Sequence, residues 1–373
     1  MNLVDQYLEQ KLLERKQSDN YRELSLCNTP IDFFSNDYLG LANTGILREC
    51  MRDIPVSKCT TGSSGSRLIS GNTIETELLE NFIAVFHKSE AALIFNSGYV
   101  ANIGLISSIA NRNTTILYDE LCHASIIDGI RLVQSIKKYK FGHNNLVQLK
   151  EKLEQLQADE AKIVIVESVY SMDGDKAPLV EIANLCELYH ARLIVDEAHA
   201  TGVFGNNGEG LTVALGLEKR VFARVHTFGK ALGCHGAAVV GSELLRNYLI
   251  NFSRPFIYTT ALPGHAIQCA YSAYKYISSP QFTNQPLHEL IAYFRLWVKE
   301  MGMSGWIDSH SPIQALVLGD NGRCKTIAAN LQQLGLIIKP ILYPTVPLGK
   351  ERLRISLHSF NTKKQIDLLF ESI

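Results

Sequence analysis

The sequence lacks the patterns that mark several large classes of protein. Its 373 residues carry 36 basic and 37 acidic side chains, for a formal net charge of -1. No basic stripe therefore indicates a nucleic-acid partner or an anionic membrane surface. No run approaches the roughly 20 apolar residues of a membrane span, and the N-terminus reads as an amphipathic helix rather than a signal peptide. These absences predict a cytoplasmic protein without membrane insertion.

The sequence also gives no sign of a metal site or a disulfide framework. It contains no C-x-x-C pair, no H-E-x-x-H and no paired histidines, so we predict that it holds no metal. Its eight cysteines lie far apart along the chain, which suits a reducing compartment. They are Cys27, Cys50, Cys59, Cys122, Cys186, Cys234, Cys269 and Cys324.

The phosphate loops of nucleotide-binding proteins are missing as well. L-I-V-D-E-A-H, ending at His199, resembles the acidic magnesium motif of helicases, which requires G-x-x-x-x-G-K-[ST] elsewhere. The two G-K dipeptides, at Lys230 and Lys350, are not followed by Ser or Thr. G-S-S-G-S-R at 62–67 lacks the G-x-G-x-x-G spacing of dinucleotide enzymes. A nucleotide-binding module is the least favoured interpretation.

Short apolar runs alternate with helical periods between about residues 90 and 240. Continuous Val, Ile and Leu runs separated by helices are typical of parallel strands buried on both faces. We therefore predict an α/β fold with a mostly parallel central sheet, helices on both faces and ligands at the carboxyl ends of the strands. The predicted strands are Ala91–Phe95, Thr115–Tyr118, Ile163–Val166, Leu193–Val195 and Val221–Val225.

The character of the sequence changes after about residue 275. Ser278-Ser279-Pro280 begins a polar stretch typical of a linker, and the strand candidates beyond it are Ile313–Leu318 and Arg352–Leu357. We predict three segments: an N-terminal helix and arm at 1–45, a large α/β domain at 46–275 and a smaller C-terminal α+β domain at 276–373.

Polar and titratable residues follow the predicted strands. Taken singly, each has a structural explanation as a helix cap, a turn residue or a lysine whose head reaches solvent. Because the carboxyl ends of parallel strands share one edge of a sheet, we expect these residues to meet there. They are Gly98, Tyr99, His123, Glu167, Ser171, Asp173, Asp196, His199, Thr227 and Lys230.

One cofactor fits this combination of residues. Pyridoxal phosphate (PLP) requires a Schiff-base lysine, an aspartate at its pyridine nitrogen and donors for its phosphate. Lys230 would hold the aldehyde carbon, Asp196 would keep the ring nitrogen protonated, and the phosphate would lie at the predicted helix start near Gly98. The sequence therefore predicts a PLP enzyme.

A series of motifs in fixed order extends this interpretation over nearly the whole chain. The series resembles the α-oxoamine synthase family of fold-type I PLP enzymes. Its motifs are S-N-D-Y-L-G-L, G-S-S-G-S-R-L-I-S-G, N-S-G-Y-V-A-N, D-E-L-C-H-A-S, S-M-D-G-D-K-A-P-L, V-D-E-A-H-A-T-G-V-F-G, T-F-G-K-A-L-G, Y-P-T-V-P-L-G and R-L-R-I-S-L.

The resemblance implies a role for each candidate residue and a homodimer with its active site at the interface. The catalytic set would be Lys230, Asp196, His199 and His123, with His123 stacked on the cofactor ring. The other implied roles are phosphate binding by Gly98, Tyr99, Thr227 and, from a second subunit, Thr260; contact of Ser171 and His199 with the phenolic oxygen; and substrate binding by Arg22, Asn36, Thr345 and Arg354.

The resemblance is strongest to the biotin-pathway branch, which condenses L-alanine with pimeloyl-CoA or a pimeloyl-carrier protein. Arg67-Leu68 departs from the glycine and histidine found there in some members. Condensation of glycine with acetyl-CoA or succinyl-CoA, or of serine with a long acyl chain, would use the same core residues. A PLP-binding fold without synthase activity is a further alternative.

Overall fold

The computed structural model describes residues 2–24, 31–134 and 137–373. Contacts between Cα atoms divide the chain into a larger unit, residues 36–171 and 176–285, and a smaller unit, residues 1–35, 172–175 and 286–373. The segment boundaries at 45/46 and 275/276 stay a prediction. Residues 25–30 of the predicted arm, with Cys27, lie outside the described residues.

Strands and helices alternate through most of the chain. The strands are β1 (Ile31–Asp32), β2 (Ala91–Phe95), β3 (Thr114–Asp119), β4 (Lys138–Phe141), β5 (Ala161–Glu167), β6 (Ala191–Asp196), β7 (Ala223–Thr227), β8 (Ala237–Gly241), β9 (Ile313–Val317), β10 (Leu336–Ile337), β11 (Lys339–Ile341) and β12 (Arg352–Ser356). The helices are α1 (Leu3–Gln17), α2 (Ile46–Met51), α3 (Ile74–Phe86), α4 (Gly98–Ile109), α5 (Ala124–Leu132), α6 (Leu146–Glu154), α7 (Leu179–Leu188), α8 (Leu211–Ala214), α9 (Glu243–Phe252), α10 (Arg254–Ile257), α11 (Gly264–Ile277), α12 (Gln285–Met301), α13 (Asn321–Gln333) and α14 (Lys363–Ser372).

A seven-stranded sheet in the order β2-β8-β7-β6-β5-β3-β4 forms the centre of the larger unit. The pairs β3–β4, β3–β5, β5–β6 and β6–β7 are parallel, and β8 is antiparallel to both of its neighbours. Apart from the edge strand β4, its strands are largely buried as their apolar sequences require, and β2 has no side chain more than 5% exposed. The predicted mostly parallel α/β fold is confirmed.

Helices α4 and α5 pack closely because a glycine stands at their contact. A Cβ added at Gly129 of α5 would lie 3.2 Å from the carbonyl oxygen of Asn102 and 3.2 Å from Cβ of Ile106, both in α4. Contacts this tight leave almost no room for a side chain. The glycine therefore lets α4 approach the start of α5, where it brings Asn102 beside Ser125.

A buried pair of stacked histidines supports one side of the sheet. The rings of His87 and His226 lie 3.6 Å apart between centroids, and both side chains are fully buried. His87 Nδ1 donates to the carbonyl oxygen of Glu209, and its Nε2 accepts from the Tyr274 hydroxyl. Burial, helped by the Arg224 guanidinium, lowers the pKa of His87 from 6.5 to about 3.

This lowered pKa predicts acid destabilisation between about pH 6.5 and 3. His87 stays neutral in the folded protein while its unfolded counterpart takes up a proton below about pH 6.5, so stability is complete above that pH and falls as the pH drops. At pH 5.5 the loss from this one group is about 1 kcal/mol. Denaturant unfolding at several pH values should therefore show a shallower acid slope for His87→Gln than for the native chain. The exposed His265→Gln control should keep the native slope, and equal slopes for all three proteins would contradict the assignment.

The smaller unit contains two sheets of its own. β11, β12 and β9 form an antiparallel sheet, and β1 pairs with β10 in parallel. The rings of Phe294, Trp306 and Phe370 pack together with centroid separations of 4.7 to 5.7 Å. Helix α1 forms where the sequence predicts it and buries none of its side chains within the chain. Within the described residues, no helix is both long and apolar enough to cross a membrane.

Candidate functional site

The site residues of the larger unit gather at the carboxyl ends of β5, β6 and β7. Glu167 and Asp196 are register partners across β5 and β6, and Thr227 is the last residue of β7. Lys230 lies in the turn that reverses the chain from β7 into the antiparallel β8. The sheet thus brings Glu167, Asp196 and Thr227 of the predicted set to one edge, with Lys230 in the turn beyond it. Asp173 belongs to the smaller unit.

A chain of hydrogen bonds runs from Lys230 to Asn36. Lys230 Nζ lies 2.6 Å from His199 Nε2, and His199 Nδ1 lies 2.7 Å from the Tyr38 hydroxyl, which donates to Asn36 Oδ1 at 3.0 Å. Because the tyrosine proton goes to Asn36, His199 carries its own proton on Nδ1 and leaves Nε2 free to accept from Lys230. The imidazole is therefore oriented to exchange a proton with the lysine amine.

Asp196 is held in place by two N–H donors. Its Oδ2 accepts from Asn102 Nδ2 at 2.7 Å and its Oδ1 from the backbone N–H of Ala198 at 2.9 Å. The carboxylate is 5% exposed, so these bonds fix its direction in a setting with little water. An oriented buried carboxylate is the group that a protonated ring nitrogen requires.

His123 is positioned by the first turn of α5. Its Nδ1 accepts from the backbone N–H of Ser125 at 3.2 Å and lies 2.7 Å from that residue's hydroxyl. Burial lowers the pKa of His123, and the positive charge of Lys230 acts in the same direction while Asp196 opposes it. The neutral ring therefore carries its proton on Nε2 and can donate it in a hydrogen bond.

The N-terminus of α4 and the end of β7 make a cradle suited to a phosphate. A Cβ at Gly98, the first residue of α4, would lie 3.4 Å from Oγ1 of Thr227. The first-turn N–H groups of a helix have no carbonyl partner within it and attract anions. Backbone of Gly98 and Tyr99, with the Thr227 hydroxyl, therefore forms a donor set for an anion. The Tyr99 side chain points elsewhere, to Asp128.

The two acids next to Asp196 have structural surroundings. Glu197 is fully buried and accepts from the backbone N–H groups of Leu211 and Thr212 and from the Ser168 hydroxyl, so it anchors the start of α8. Burial and the neighbouring Asp196 raise the pKa of Glu167 well above its usual range, which favours the neutral form of that carboxyl. Within D-E-A-H, Asp196 and His199 therefore belong to the candidate site, whereas Glu197 has a structural role beside it.

The remaining predicted residues divide between the two units. Ser171 is buried at the end of a segment of the larger unit, whereas Thr260 is exposed and its carbonyl oxygen accepts from Asn96. In the smaller unit Arg22 Nη2 donates to the Thr345 hydroxyl at 3.2 Å, beside a groove of about 480 Å³. Arg354 is buried there and its Nη1 donates to Ser356 Oγ at 2.8 Å.

Three residues of the site received no role from the sequence. Tyr38, Asn102 and Ser125 each orient a predicted residue through the hydrogen bonds described above. All three stand inside the quoted motifs S-N-D-Y-L-G-L, N-S-G-Y-V-A-N and D-E-L-C-H-A-S. The motifs therefore pointed to the right segments, but contacts between them depend on tertiary structure.

The donor set of the larger unit fits PLP. It offers an amine, an oriented carboxylate and an anion cradle at one sheet edge, the three groups that PLP chemistry uses. Gly98 lies close to Thr227 in this cradle, since a Cβ at Gly98 would be in van der Waals contact with the threonine side chain. Lys230, Asp196, His123, His199, Gly98 and Thr227 are the residues that would hold the cofactor.

Comparison with known proteins places this chain in a family. The 8-amino-7-oxononanoate synthase of Emericella nidulans is 39% identical, covering 98% of this chain and 94% of that protein. The corresponding synthase of Cellvibrio japonicus is 37% identical over 99% of this chain and 95% of its own length.

Solved structures give the same result. Serine palmitoyltransferase of S. paucimobilis, solved with a bound PLP–myriocin aldimine, has a TM-score of 0.89 at 26% identity and covers 100% of this chain and 97% of its own. The 8-amino-7-oxononanoate synthase of Francisella tularensis has a TM-score of 0.78 at 31% identity, covering 92% and 96%. These relatives confirm the resemblance seen in the motifs. The family "Aminotransferase class I and II" matches residues 28–373, and the chain belongs to it.

Proposed function

We propose that the protein is a PLP-dependent acyltransferase that joins L-alanine to a pimeloyl thioester and forms 8-amino-7-oxononanoate for biotin synthesis. The observation that carries the proposal is the 2.6 Å contact between Lys230 Nζ and His199 Nε2 at the sheet edge that also holds Asp196. The relatives named 8-amino-7-oxononanoate synthase, at 35 to 40% identity over nearly the whole chain, support this choice of reaction.

The atoms of the proposed reaction balance without a further reactant. The α-carbon of alanine forms a bond to the thioester carbonyl carbon, the thiol of CoA or of a carrier protein leaves, and the alanine carboxylate departs as CO₂. A proton replaces that carboxylate on the α-carbon. When bound, PLP supplies the electron sink that makes this carbon nucleophilic.

Lys230 and His199 would move the proton of the α-carbon. The lysine amine would take the α-proton of the amino acid on Nζ. His199 Nε2 lies at hydrogen-bond distance and accepts from the resulting ammonium, while Tyr38 holds the opposite ring nitrogen. This arrangement keeps the amine and the imidazole in fixed relative positions through both proton transfers.

Asp196 and His123 would act on charge that develops during the reaction. Asp196, fixed by Asn102 and Ala198, keeps the cofactor ring nitrogen protonated. His123 presents an Nε2–H donor, since its Nδ1 accepts from Ser125, and would donate to the carbonyl oxygen of the substrate. In the smaller unit, the Arg354 and Arg22 guanidinium groups are our candidates for binding substrate carboxylates, together with Thr345. Asn36 of the larger unit is a further candidate for substrate binding.

A homodimer agrees with the exposed apolar side chains near Thr260. Leu68, Ile69 and Tyr258 are 53%, 84% and 73% exposed, although such side chains are usually covered. Gly71 and Ala261 bring their two segments together, because a Cβ at Gly71 would lie 2.5 Å from that of Ala261. We propose that a second subunit covers this face, and that Thr260 contacts the phosphate of the PLP bound to that second subunit.

The departure at Arg67-Leu68 is explained by packing. The Arg67 guanidinium pairs with the buried Glu80, with Nη1 2.8 Å from Oε1, and its Nε donates to Asn72. It therefore holds the Gly62–Gly71 loop in place instead of presenting its charge to a substrate. The Arg67 charge is therefore not our candidate for selecting the acyl group.

Tyr38→Phe tests the hydrogen-bond chain. Loss of the hydroxyl leaves His199 Nδ1 without its partner and removes the restraint on its tautomer. We expect kcat to fall about tenfold and the pH profile of kcat to change. The loss is smaller than the roughly 10²–10⁴-fold of a direct acid–base group, because Tyr38 acts through His199. Tyr139→Phe, at an exposed tyrosine, serves as the control. An unchanged rate and pH profile in Tyr38→Phe would remove Tyr38 from the chain.

Amino-acid titration tests the choice of substrate. PLP held by a lysine absorbs near roughly 420 nm, and this band should change most readily with L-alanine when L-alanine, glycine and L-serine are added separately. A preference for glycine would favour the 2-amino-3-ketobutyrate ligase reaction, and a preference for serine would favour serine palmitoyltransferase. If no band appeared after addition of PLP, the protein would not be a PLP enzyme.

A further inference from the structure

Two cysteines that lie far apart in the sequence meet beside the turn that carries Lys230. Cys234 and Cys269 have their sulfur atoms 3.4 Å apart, and both are free thiols. Cys234 lies in the β7–β8 turn, four positions after Lys230, and Cys269 lies in α11. A disulfide needs an S–S distance of about 2.0 Å, so the two sulfur atoms are already close to bonding range.

We propose that Cys234 and Cys269 form a dithiol pair that a peroxide converts into an intramolecular disulfide. The pair would be a site of oxidative modification where the turn that carries Lys230 packs against α11. It concerns residues outside the reaction described above, although its effect on turnover rests on the proposed function.

The surroundings favour reaction at Cys269. This residue lines a groove of about 480 Å³ together with Leu41, Gly233 and Arg48, so a small oxidant can reach it. The sulfur–sulfur contact with Cys234 lowers the pKa of the Cys269 thiol, while the same contact and burial raise the pKa of Cys234. The thiolate is the nucleophilic form, and Cys269 therefore attacks first.

The chemical steps need only the peroxide. The Cys269 thiolate attacks one oxygen of hydrogen peroxide and the O–O bond breaks, so that Cys269 becomes a sulfenic acid. The departing hydroxide takes up a proton and becomes water. The Cys234 sulfur then attacks the sulfenic sulfur, its proton goes to the departing hydroxyl, and water leaves as the S–S bond forms. Two thiols are oxidised, and one peroxide is reduced to two molecules of water.

Closure of this bond would act on the Lys230 turn. The turn is held tightly: Gly233 N donates to Lys230 O at 2.8 Å, and Cys234 N donates to Phe228 O at 2.8 Å. A Cβ at Gly233 would lie 2.4 Å from the backbone nitrogen of Ala42, so the turn has no room to move toward that segment. Drawing the sulfurs together would therefore strain the turn or shift it toward α11. A displacement of about 1 Å at a catalytic group lowers its rate by up to about a hundredfold.

Peptide mapping of the oxidised holoenzyme tests the bond directly. After reduction, removal of the reductant and treatment with hydrogen peroxide, free thiols are blocked and the protein is digested with trypsin. We expect one linked species that joins peptide 231–246 to peptide 247–275 and separates on reduction. Turnover should fall at least fivefold as the link forms and return with dithiothreitol.

Variants at two cysteines separate this link from general oxidation. Cys269→Ser should form no link and retain turnover after peroxide, and Cys269→Ala should behave in the same way if serine disturbs the fold. Cys50→Ser, at an exposed cysteine, should link and lose turnover like the native protein. Recovery of Cys234 and Cys269 as separate, unlinked peptides from the peroxide-treated native protein would overturn the proposal. Because peptide mapping detects the disulfide without any measurement of turnover, it tests this proposal even if the proposed reaction is wrong.

Discussion

Lys230→Ala should lower kcat by at least about a thousandfold and abolish the resting absorbance near roughly 420 nm. The lysine amine is the one group of the site that can both hold the cofactor covalently and accept the α-proton on Nζ. Its loss leaves His199 Nε2, now 2.6 Å from Nζ, without a partner at the reacting carbon. Steady-state turnover and the visible spectrum of purified protein saturated with PLP provide the two readouts.

The control for this substitution is Lys219→Ala. Lys219 is exposed and lies before the amino end of β7, away from the carboxyl ends of the strands, so its loss should leave both readouts unchanged. If Lys230→Ala kept the visible band and turned over at a rate within tenfold of the native protein, Lys230 would be a structural lysine whose head merely reaches solvent.

Asp196→Asn should retain the fold and still bind PLP, but it should lose about a thousandfold in kcat, as for removal of a strong electrostatic contact. Two effects combine. The amide cannot hold a ring nitrogen protonated, and both oxygens of Asp196 now accept N–H groups, from Asn102 and from Ala198. Rotating an NH₂ group into either position places two donors against each other.

The measurement for Asp196→Asn is turnover with PLP saturation checked by absorbance. Asp159→Asn, at an exposed aspartate, controls for the change of charge and should be neutral. Near-native turnover in Asp196→Asn would show that the ring nitrogen needs no carboxylate here. A protein that no longer binds PLP would also depart from this account, which assigns binding mainly to Lys230 and the α4 cradle.

The sequence predicted the buried parallel strands because their apolar runs have few other interpretations. Ile163–Val166 and Leu193–Val195 fall inside β5 and β6. The predicted strand Val221–Val225 begins and ends two residues before β7, which continues into His226 and Thr227. Those polar residues look like the end of a strand, yet His226 is fully buried because it stacks on His87 and bonds to Thr201. Only a tertiary contact makes such a position suitable for a strand.

Strands with weaker patterns received no prediction. β4 reads K-Y-K-F at the edge of the sheet, where Tyr139 and Lys140 face solvent, so its composition is polar. β8 reads A-A-V-V-G and runs antiparallel, which no apolar run can reveal.

The site shows the same division between local and long-range information. Lys230, Asp196 and His199 could be predicted because each follows a strand within a recognisable motif. The partners of these residues could not, since 161 positions separate Tyr38 from His199 and 94 separate Asn102 from Asp196. The approach of Cys234 to Cys269 likewise depends on how α11 packs, and the wide spacing of the cysteines gave no indication of it.

Product analysis tests the central claim most directly. The purified protein with PLP is incubated with L-alanine and either pimeloyl-CoA or a pimeloyl-carrier protein, and the products are identified by mass. We predict 8-amino-7-oxononanoate, released in equal amounts with CO₂ and free thiol from at least one of the two thioesters, and no such product from glycine or L-serine. If both pimeloyl thioesters stayed intact with L-alanine while glycine with acetyl-CoA, or L-serine with a long acyl-CoA, released thiol and CO₂, the proposed reaction would be wrong.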